Sequence, residues 1–361
     1  MSSAPSIEVC RRSEAERPAL EAMYVDVFGE KAAEQSRARR RWQYEENPNC
    51  GREGPEIWVA KEDGRVLGQY ATMPVRLKVL DRILRASWGM DLMVGPNLQR
   101  KGIGSRLFLY WDQQVEASLG LGLSVSSYTL LKKLNWEDVG PVPCYSAVVD
   151  VGALLERRIG ANSTAAAVLA PLVKLFLGLV FPRRRTKRGD SVDVGRAAEP
   201  FGPDYDALWE RVAPAYDFIA ERTAHYLEWK YRKVPDVSYD VFEARKEGVL
   251  TGYVVLRAIE TNGVKLVRVV DMLAEPEDKA TVGSLLDRAF AWAAENEASR
   301  VEAFTFDRRL QARLASKGFM RIESPMKFCV RIHSDHVDQL FFRDTSRWHV
   351  SFGDSDQDRE P

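Results

Sequence analysis

Residues 88–105 constrain this chain most: Trp-Gly-Met-Asp-Leu-Met-Val-Gly-Pro-Asn-Leu-Gln-Arg-Lys-Gly-Ile-Gly-Ser. Asp91, Leu92, Met93 and Val94 read as a strand with apolar residues on both faces, which suits a buried position. Gly95-Pro96-Asn97 break it, and a helical pattern starts after Gly102-Ile103-Gly104. Leu107, Trp111, Val115 and Leu119 then recur at four-residue spacing, predicting a long helix ended by Gly120. Strand, glycine-bearing loop and helix start make an anion cradle, because glycines admit a close ligand and the first helical amides lack acceptors. The expected anion is a phosphate. The Walker pattern fails, since Ser105-Arg106 stands where Lys-Ser/Thr is required. The dinucleotide fingerprint fails for want of its third glycine.

The spacing Leu92-x-Val94-x-Pro96-x-x-Gln99-x-x-Gly102-x-Gly104 resembles the acetyl-coenzyme A motif of the GNAT N-acetyltransferase superfamily. The resemblance implies that acetyl-CoA, or another acyl-CoA, is the co-substrate and that no metal is needed. It implies that Gln99, Arg100, Lys101, Gly102, Ile103, Gly104 and Ser105 hold the pyrophosphate, and that Met93 and Val94 present backbone to the pantetheine arm. Arg100 and Lys101 add charge there or are simply solvated. Asp91 is the first candidate for the base, a hydrogen-bonded structural aspartate being its alternative. Many members carry a tyrosine four residues before the glycine of a Gly-Phe step. Here that position is Leu131, and Tyr128, one helical turn earlier, is the substitute candidate for the acid or else a packed aromatic.

Around this stretch the order of elements fits the same family. Ser13 and Glu16 form a capping box ahead of a first helix, and a charged second helix covers about residues 31–44. Strands follow at 57–60, 66–73 and 75–79, then the cradle, a strand through Leu121, Leu123 and Val125, a short helix at 128–134, and a last strand near 145–149. The predicted first domain, 1–150, contains no histidine; the four are His225, His333, His336 and His349.

The pattern then recurs. Trp42-x-Tyr44-x-x-x-Pro48 returns as Trp229-x-Tyr231-x-x-x-Pro235. Each copy leads to a Gly-centred hairpin and an Asp-led apolar strand, at Asp91 and Asp271, with intervals from Trp to Asp of 49 (91 − 42) and 42 (271 − 229). A duplicated domain over 198–332 is expected, giving an α/β (α+β) chain of two GNAT-like mixed, largely antiparallel sheets flanked by helices. Where the first copy has Gly102, the second has Val282, whose Cβ would crowd a phosphate. A degenerate second copy without coenzyme is the expectation.

Two segments fall outside both copies. Residues 165–181 are apolar apart from Lys174 and are interrupted by Pro171, and the basic run 183–188 follows. The run is too short to span a bilayer. Peripheral membrane contact through 165–188 is one alternative; packing on the domains, or a homodimer contact, is the other. After 333, the extension ends with Asp354, Asp356 and Asp358 at alternate positions. These lack the glycine and terminal glutamate of a calcium loop, and a frayed acidic tail is expected, with a carboxylate reaching into the acceptor pocket as the alternative.

Composition removes other classes. Lys plus Arg equals Asp plus Glu at 52 each, and the one basic cluster is 183–188, so no nucleic-acid partner is expected. The four cysteines are isolated, which fits a reducing compartment, and the first residues lack a secretory pattern; cytoplasm is the default, with membrane association left open by 165–188. The functional expectation is acetyl transfer to an amine of a small molecule or sugar-type acceptor. Longer-acyl or aminoacyl transfer, and a non-catalytic coenzyme-binding regulator, remain alternatives.

Overall fold

The computed structural model describes residues 7–152, 171–173, 175, 192–261, 263–324, 326–333 and 339–358. The expectation for 165–188 therefore falls almost wholly outside the described residues. No helix among those described is long and apolar enough to cross a membrane.

The chain divides into two units, and neither is a continuous stretch. The first comprises Met1–Gly140, Arg232–Val237 and Met326–Asp344. It opens with β1 (Glu8–Arg11), α1 (Arg17–Phe28) and α2 (Glu30–Arg40). The Ser13–Glu16 capping box forms as the sequence predicts, and Glu16 also bonds Lys61. α2 ends in a π-turn, Arg41–Glu45, earlier than the helix expected to reach residue 44. Widening the turn by one residue puts Trp42, Gln43 and Tyr44 all inside, which ordinary helical spacing does not allow for three consecutive residues.

β2 (Ile57–Glu62), β3 (Arg65–Val79) and β4 (Arg82–Val94) form an antiparallel meander. The break expected at Pro74 is absent. Pro74 lies beyond Ala71, the last residue β3 pairs with β2, so its missing N–H removes no bond on that side. α3 (Ile103–Asp112), β5 (Ala117–Leu121), α4 (Val125–Lys133) and β6 (Glu137–Pro141) follow. The long helix expected through Leu119 stops at Asp112, and 117–121 is a fully buried strand. A short apolar run reads alike as buried strand or buried helix, which is why the spacing misled. Period-two alternation distributes the core: Trp58 and Ala60 pack with Ile103, Leu107 and Trp111 of α3, while Ile57 and Val59 face the side of Leu20 and Tyr44.

The second unit comprises Pro141–Tyr231, Ser238–Pro325 and Thr345–Pro361. Its described elements are β7 (Cys144–Val148), β8 (Asp193–Arg196), α5 (Pro203–Val212), β9 (Phe218–Ala220), α6 (Ala224–Leu227) and a π-turn at Glu228–Arg232, of which Arg232 falls in the first unit. They continue with β10 (Asp240–Lys246), β11 (Val249–Thr261), β12 (Val264–Ala274), α7 (Lys279–Glu295), β13 (Arg300–Phe304), α8 (Arg308–Ser316) and β14 (Met320–Ile322). Its sheet runs β14-β7-β13-β12-β11-β10-β8, with α7 burying Leu285, Leu286 and Phe290 against Val254, Val267 and Val301.

The plan of the first unit recurs in detail. The π-turn returns under the second Trp-x-Tyr, and a glycine on the middle meander strand faces the Asp-led strand in both. A Cβ on Gly68 would lie 2.7 Å from the Met93 carbonyl, and one on Gly252 would lie 2.9 Å from that of Leu273. Two close approaches at the same point of two meanders support a common design.

The contiguous domains expected at 1–150 and 198–332 are not what the chain builds. β7, which follows β6, joins the sheet of the second unit by pairing with β13 and β14. β15 (Lys327–Ile332), the last strand of the second copy, joins the first unit between β5 and β6, giving the order β1-β2-β3-β4-β5-β15-β6. The units exchange their closing strands. Both strands alternate similarly and both ends of the exchange carry buried aromatics or aliphatics, so nothing local distinguishes swapped from unswapped pairing.

The tail also departs from expectation. Asp354 and Asp358 are buried, as is His349, and β16 (Trp348–His349) pairs in parallel with β9 inside the second unit. It is not a frayed acidic end.

Candidate functional site

β4 and β5 run parallel and pair from Ala86 with Ala117 to Trp88 with Leu119. β4 then continues six residues to Val94, still bonded to β3 on its other side. The two strands have parted. From Gly89 onward the β5-facing backbone of β4 lies outside the ladder, and Met93 and Val94, the residues expected to meet a pantetheine arm, lie in this stretch.

The loop beyond it builds the helix start. Pro96–Leu98 forms one 3-10 turn, Gln99 is extended, and Arg100 and Gly102 both have positive φ, at 62° and 83°. Gly102 is the N-cap of α3 in the left-handed conformation, with no side-chain cap. The amides of Ile103, Gly104 and Ser105 are thus the first-turn donors that helix geometry leaves without an intrahelical acceptor. A Cβ on Gly104 would meet only a Leu92 methyl, at an ordinary 3.5 Å, so no packing demand explains this glycine. Gln99, Arg100, Lys101 and Gly102 are solvent-exposed. An open, uncapped helix N-terminus with exposed cations fits a pyrophosphate. The donor set is all nitrogen, and no group of three or more His, Cys, Asp or Glu side chains able to hold a metal exists among the described residues.

The second unit shows what closes such a cradle. Its helix N-cap is Asp278, whose carboxylate accepts from the Thr281 amide and hydroxyl and from Lys246 Nζ. A fixed anion already sits where a phosphate would. Eight residues separate β4 from α3 (102 − 94), but four separate β12 from α7 (278 − 274). The loop has lost four residues to an extra helical turn. Val282, expected to block phosphate by its Cβ, instead lies inside the helix and in the core. What sets this helix start apart from that of α3 is therefore a shortened loop and an acidic cap, not the Val282 Cβ.

On the opposite face of the first unit, a cleft of about 720 Å³ is lined by Arg12, Tyr24, Arg40, Tyr44, Glu45 and Gln69 among others. Two of the lining tyrosines hold Asp91. Its Oδ2 accepts from the Tyr44 hydroxyl at 2.7 Å and from the Tyr24 hydroxyl at 3.4 Å. The π-turn delivers Tyr44, and Gln43 Nε2 donates to the same hydroxyl at 3.3 Å. Burial, reinforced by the Asp91 carboxylate, pushes the Tyr24 hydroxyl up to about 12, so it remains a donor at neutral pH. Neither tyrosine was marked by the sequence as a site residue, although the repeated Trp-x-Tyr motif carried the signal for Tyr44. The cleft's charges are largely spent on one another: Arg12 and Arg17 on Glu45, Arg37 and Arg40 on Glu21.

Tyr128 is not part of this cluster. It sits on α4, packs with the α3-side core and gives its hydroxyl proton to Asp138. That bond, with some burial, raises its pKa. Lys327 of the exchanged β15 places Nζ 3.8 Å from the ring centroid. β15 also corrects the expectation of a histidine-free first domain, since His333 bonds buried Asp112 at 3.2 Å. It stands beside Glu116, at the end of β5 away from the parted strands, and so serves no reactant there.

A parted parallel strand pair, an open helix start and a carboxylate held by two cleft-lining tyrosines make up the candidate site. Residues 9–138 match the model of an acetyltransferase (GNAT) domain. Solved structures share the fold across both units. A GCN5-related N-acetyltransferase from Anabaena variabilis aligns with a TM-score of 0.63 at 12% identity, covering 91% of this chain and 73% of that one. A probable N-acyltransferase from Enterococcus faecalis aligns at 0.61 and 11%, covering 91% and 72%. Saccharomyces cerevisiae N-myristoyltransferase with bound myristoyl-CoA aligns at 0.56 and 12%, covering 91% and 80%. A comparison with curated protein sequences finds no match.

Proposed function

We propose that the first unit is an acyl-CoA-dependent N-acyltransferase acting on an amine of a small molecule or sugar-type acceptor, with acetyl-CoA the donor. The observation that carries this reading is the juxtaposition within one unit of the parted β4, the uncapped α3 and Asp91 bonded to cleft-lining Tyr44. When bound, acyl-CoA supplies an activated carbonyl; the remaining work falls to the protein. The α3 amides hold the pyrophosphate, with Gln99, Arg100 and Lys101 at its rim. The β5-facing backbone at Met93 and Val94 orients the pantetheine and can donate where charge grows on oxygen.

An amine attacks only after losing a proton. Asp91 takes it, and Tyr44, which lines the cleft and already donates to Asp91, is the relay: its oxygen receives the amine proton as its own passes to the carboxylate. As the amine nitrogen bonds the acyl carbon, the bond to the coenzyme sulfur breaks and the sulfur leaves as a thiolate; Tyr128, whose hydroxyl donates to Asp138, is the residue assigned to protonate it. The cleft binds the acceptor from the side opposite α3.

Isothermal titration with acetyl-CoA, followed by turnover on a panel of amines with acetyl, longer acyl and aminoacyl donors, tests the reading. Saturable binding lost in Gly104→Val, with transfer to one amine class, supports it. Absence of binding overturns the donor site, and binding without any transfer favours a coenzyme-binding regulator.

A further inference from the structure

The second unit keeps the framework of a site without an opening. β12 and β13 pair from Leu266 with Arg300 to Arg268 with Glu302 and then part, as β4 and β5 do. Asp271 occupies the position of Asp91, and Tyr231 that of Tyr44 on its own π-turn. In the first unit this region adjoins a cleft of about 720 Å³. In the second, the space among Asp271, Met272, Phe304 and Thr305 is reduced to about 20 Å³, and His349, Val350 and Ser351 line what remains.

We infer that residues 345–358 are an internal ligand of the second unit, filling in cis the groove that the first unit keeps open for its reactants. Four kinds of contact carry this, and each touches a part of the former site. His349 Nε2 bonds the Met272 carbonyl at 3.1 Å, on the segment of β12 that has left β13. Phe352 packs on Phe304 of β13 with ring centroids 3.9 Å apart. Arg222, fully buried, joins Asp271 to the tail: Nε lies 3.2 Å from Asp271 and Nη2 2.8 Å from Asp354. Finally, Gly353 lies so close to the π-turn tyrosine that a Cβ there would stand 2.2 Å from the Tyr231 hydroxyl. Further along, Lys230 of the same turn donates to the Ser355 carbonyl at 2.7 Å.

The chemistry of the fit is specific. Asp271 in place of Asp91 would be a buried carboxylate with no cleft to serve, and the Arg222 guanidinium with Asp354 converts it into one end of a closed three-charge chain. The acidic cap Asp278 refuses a phosphate at one end of the groove, and the tail takes the groove itself. The inference concerns the second unit alone and does not depend on what the first transfers.

Hydrogen exchange on the full-length protein tests it. In the wild type, amides 348–352 are expected to exchange as slowly as those of β12. Gly353→Val should release the tail by steric conflict with Tyr231, raising exchange at 348–352 and at 271–274 by at least tenfold while β2–β4 stay unchanged. A synthetic peptide of residues 345–358 added to that variant should restore protection at 271–274, and the same peptide carrying Asp354→Asn should not. Should Gly353→Val fail to fold, Asp354→Asn in the full chain replaces it, with rescue by the wild-type peptide as the readout. Tail amides exchanging in the wild type like an unstructured chain, protection at 271–274 that survives release, or equal rescue by both peptides would each overturn the inference.

Discussion

Replacing Tyr44 by Phe removes one hydroxyl from the cleft lining, and with it a donor to Asp91 and the acceptor of Gln43 Nε2. The ring stays buried with Ile57 and Ala71, so no cavity opens. What is lost is a 2.7 Å donor to Asp91. A hydrogen bond to a charged acceptor contributes about 1.5–3 kcal/mol, and about 1.4 kcal/mol is a factor of ten in rate. Losing it lowers kcat/KM by about tenfold to about a hundredfold, at the smaller end because Asp91 is part-exposed. The sign of the pH effect follows from which protonation state the bond favours. A hydroxyl donor stabilises the ionised carboxylate, so without it the base protonates more readily and the acidic limb of kcat/KM moves to higher pH. Tyr24→Phe is the internal control, because its 3.4 Å bond is long and weak and its loss should change the rate by less than about threefold. Steady-state kinetics from pH 5 to 10 with thermal unfolding in parallel reads both. A Tyr44→Phe enzyme with unaltered rate and an unmoved acidic limb refutes the relay and removes Asp91 from the rate-determining proton transfer.

The two cradle glycines separate conformational from ligand effects. Gly102→Ala forces a Cβ into φ 83° and should cost about 1–2 kcal/mol in denaturant unfolding, whereas Gly104→Ala should leave stability unchanged yet weaken coenzyme binding at least tenfold by calorimetry. Arg222→Met strands two buried carboxylates and should destabilise the second unit by about 3–5 kcal/mol in urea titration; a neutral substitution would show that the cluster is hydrated. Hydrogen bonds from Ser13, then Lys61, hold Glu16 down to about 2, so it stabilises fully above about pH 4.5 and ceases to as pH falls toward 2. The site is well screened, so Glu16→Gln should lower stability at pH 7 by less than about 1 kcal/mol and flatten the acid limb of the stability curve.

How much of this was legible depended on whether the signal was local. The cradle was, because a positive φ at Gly102 and an uncapped helix start are written within a few residues. Tyr44 was half legible: the repeated Trp-x-Tyr announced a shared element, but the π-turn that aims the hydroxyl leaves no mark in the spacing. The apolar run 115–121 satisfied helix and strand alike. Val282 misled because residue-by-residue alignment from Asp271 ignores the four residues by which the loop is shortened. The buried tail read as solvated because its carboxylates find distant partners: Asp354 bonds Arg222, 132 residues away, and Asp358 bonds Tyr239, 119 residues away. Alternating acidic residues carry no trace of such a partner.

The strand exchange sets a timetable. The sheet of the first unit is incomplete until β15 slots between β5 and β6, and β15 ends at residue 332. A ribosome that has finished residue 140 must add 192 more (332 − 140), about 10–40 s of elongation, before the first unit can close. Throughout that interval β5 and β6 wait with exposed edges, a hazard that sequential folding would have avoided. The arrangement ties the two copies together on grounds unrelated to chemistry: a chain that stops short of residue 332 lacks a strand of the first unit's sheet, and deletions that discard the second half discard that strand too.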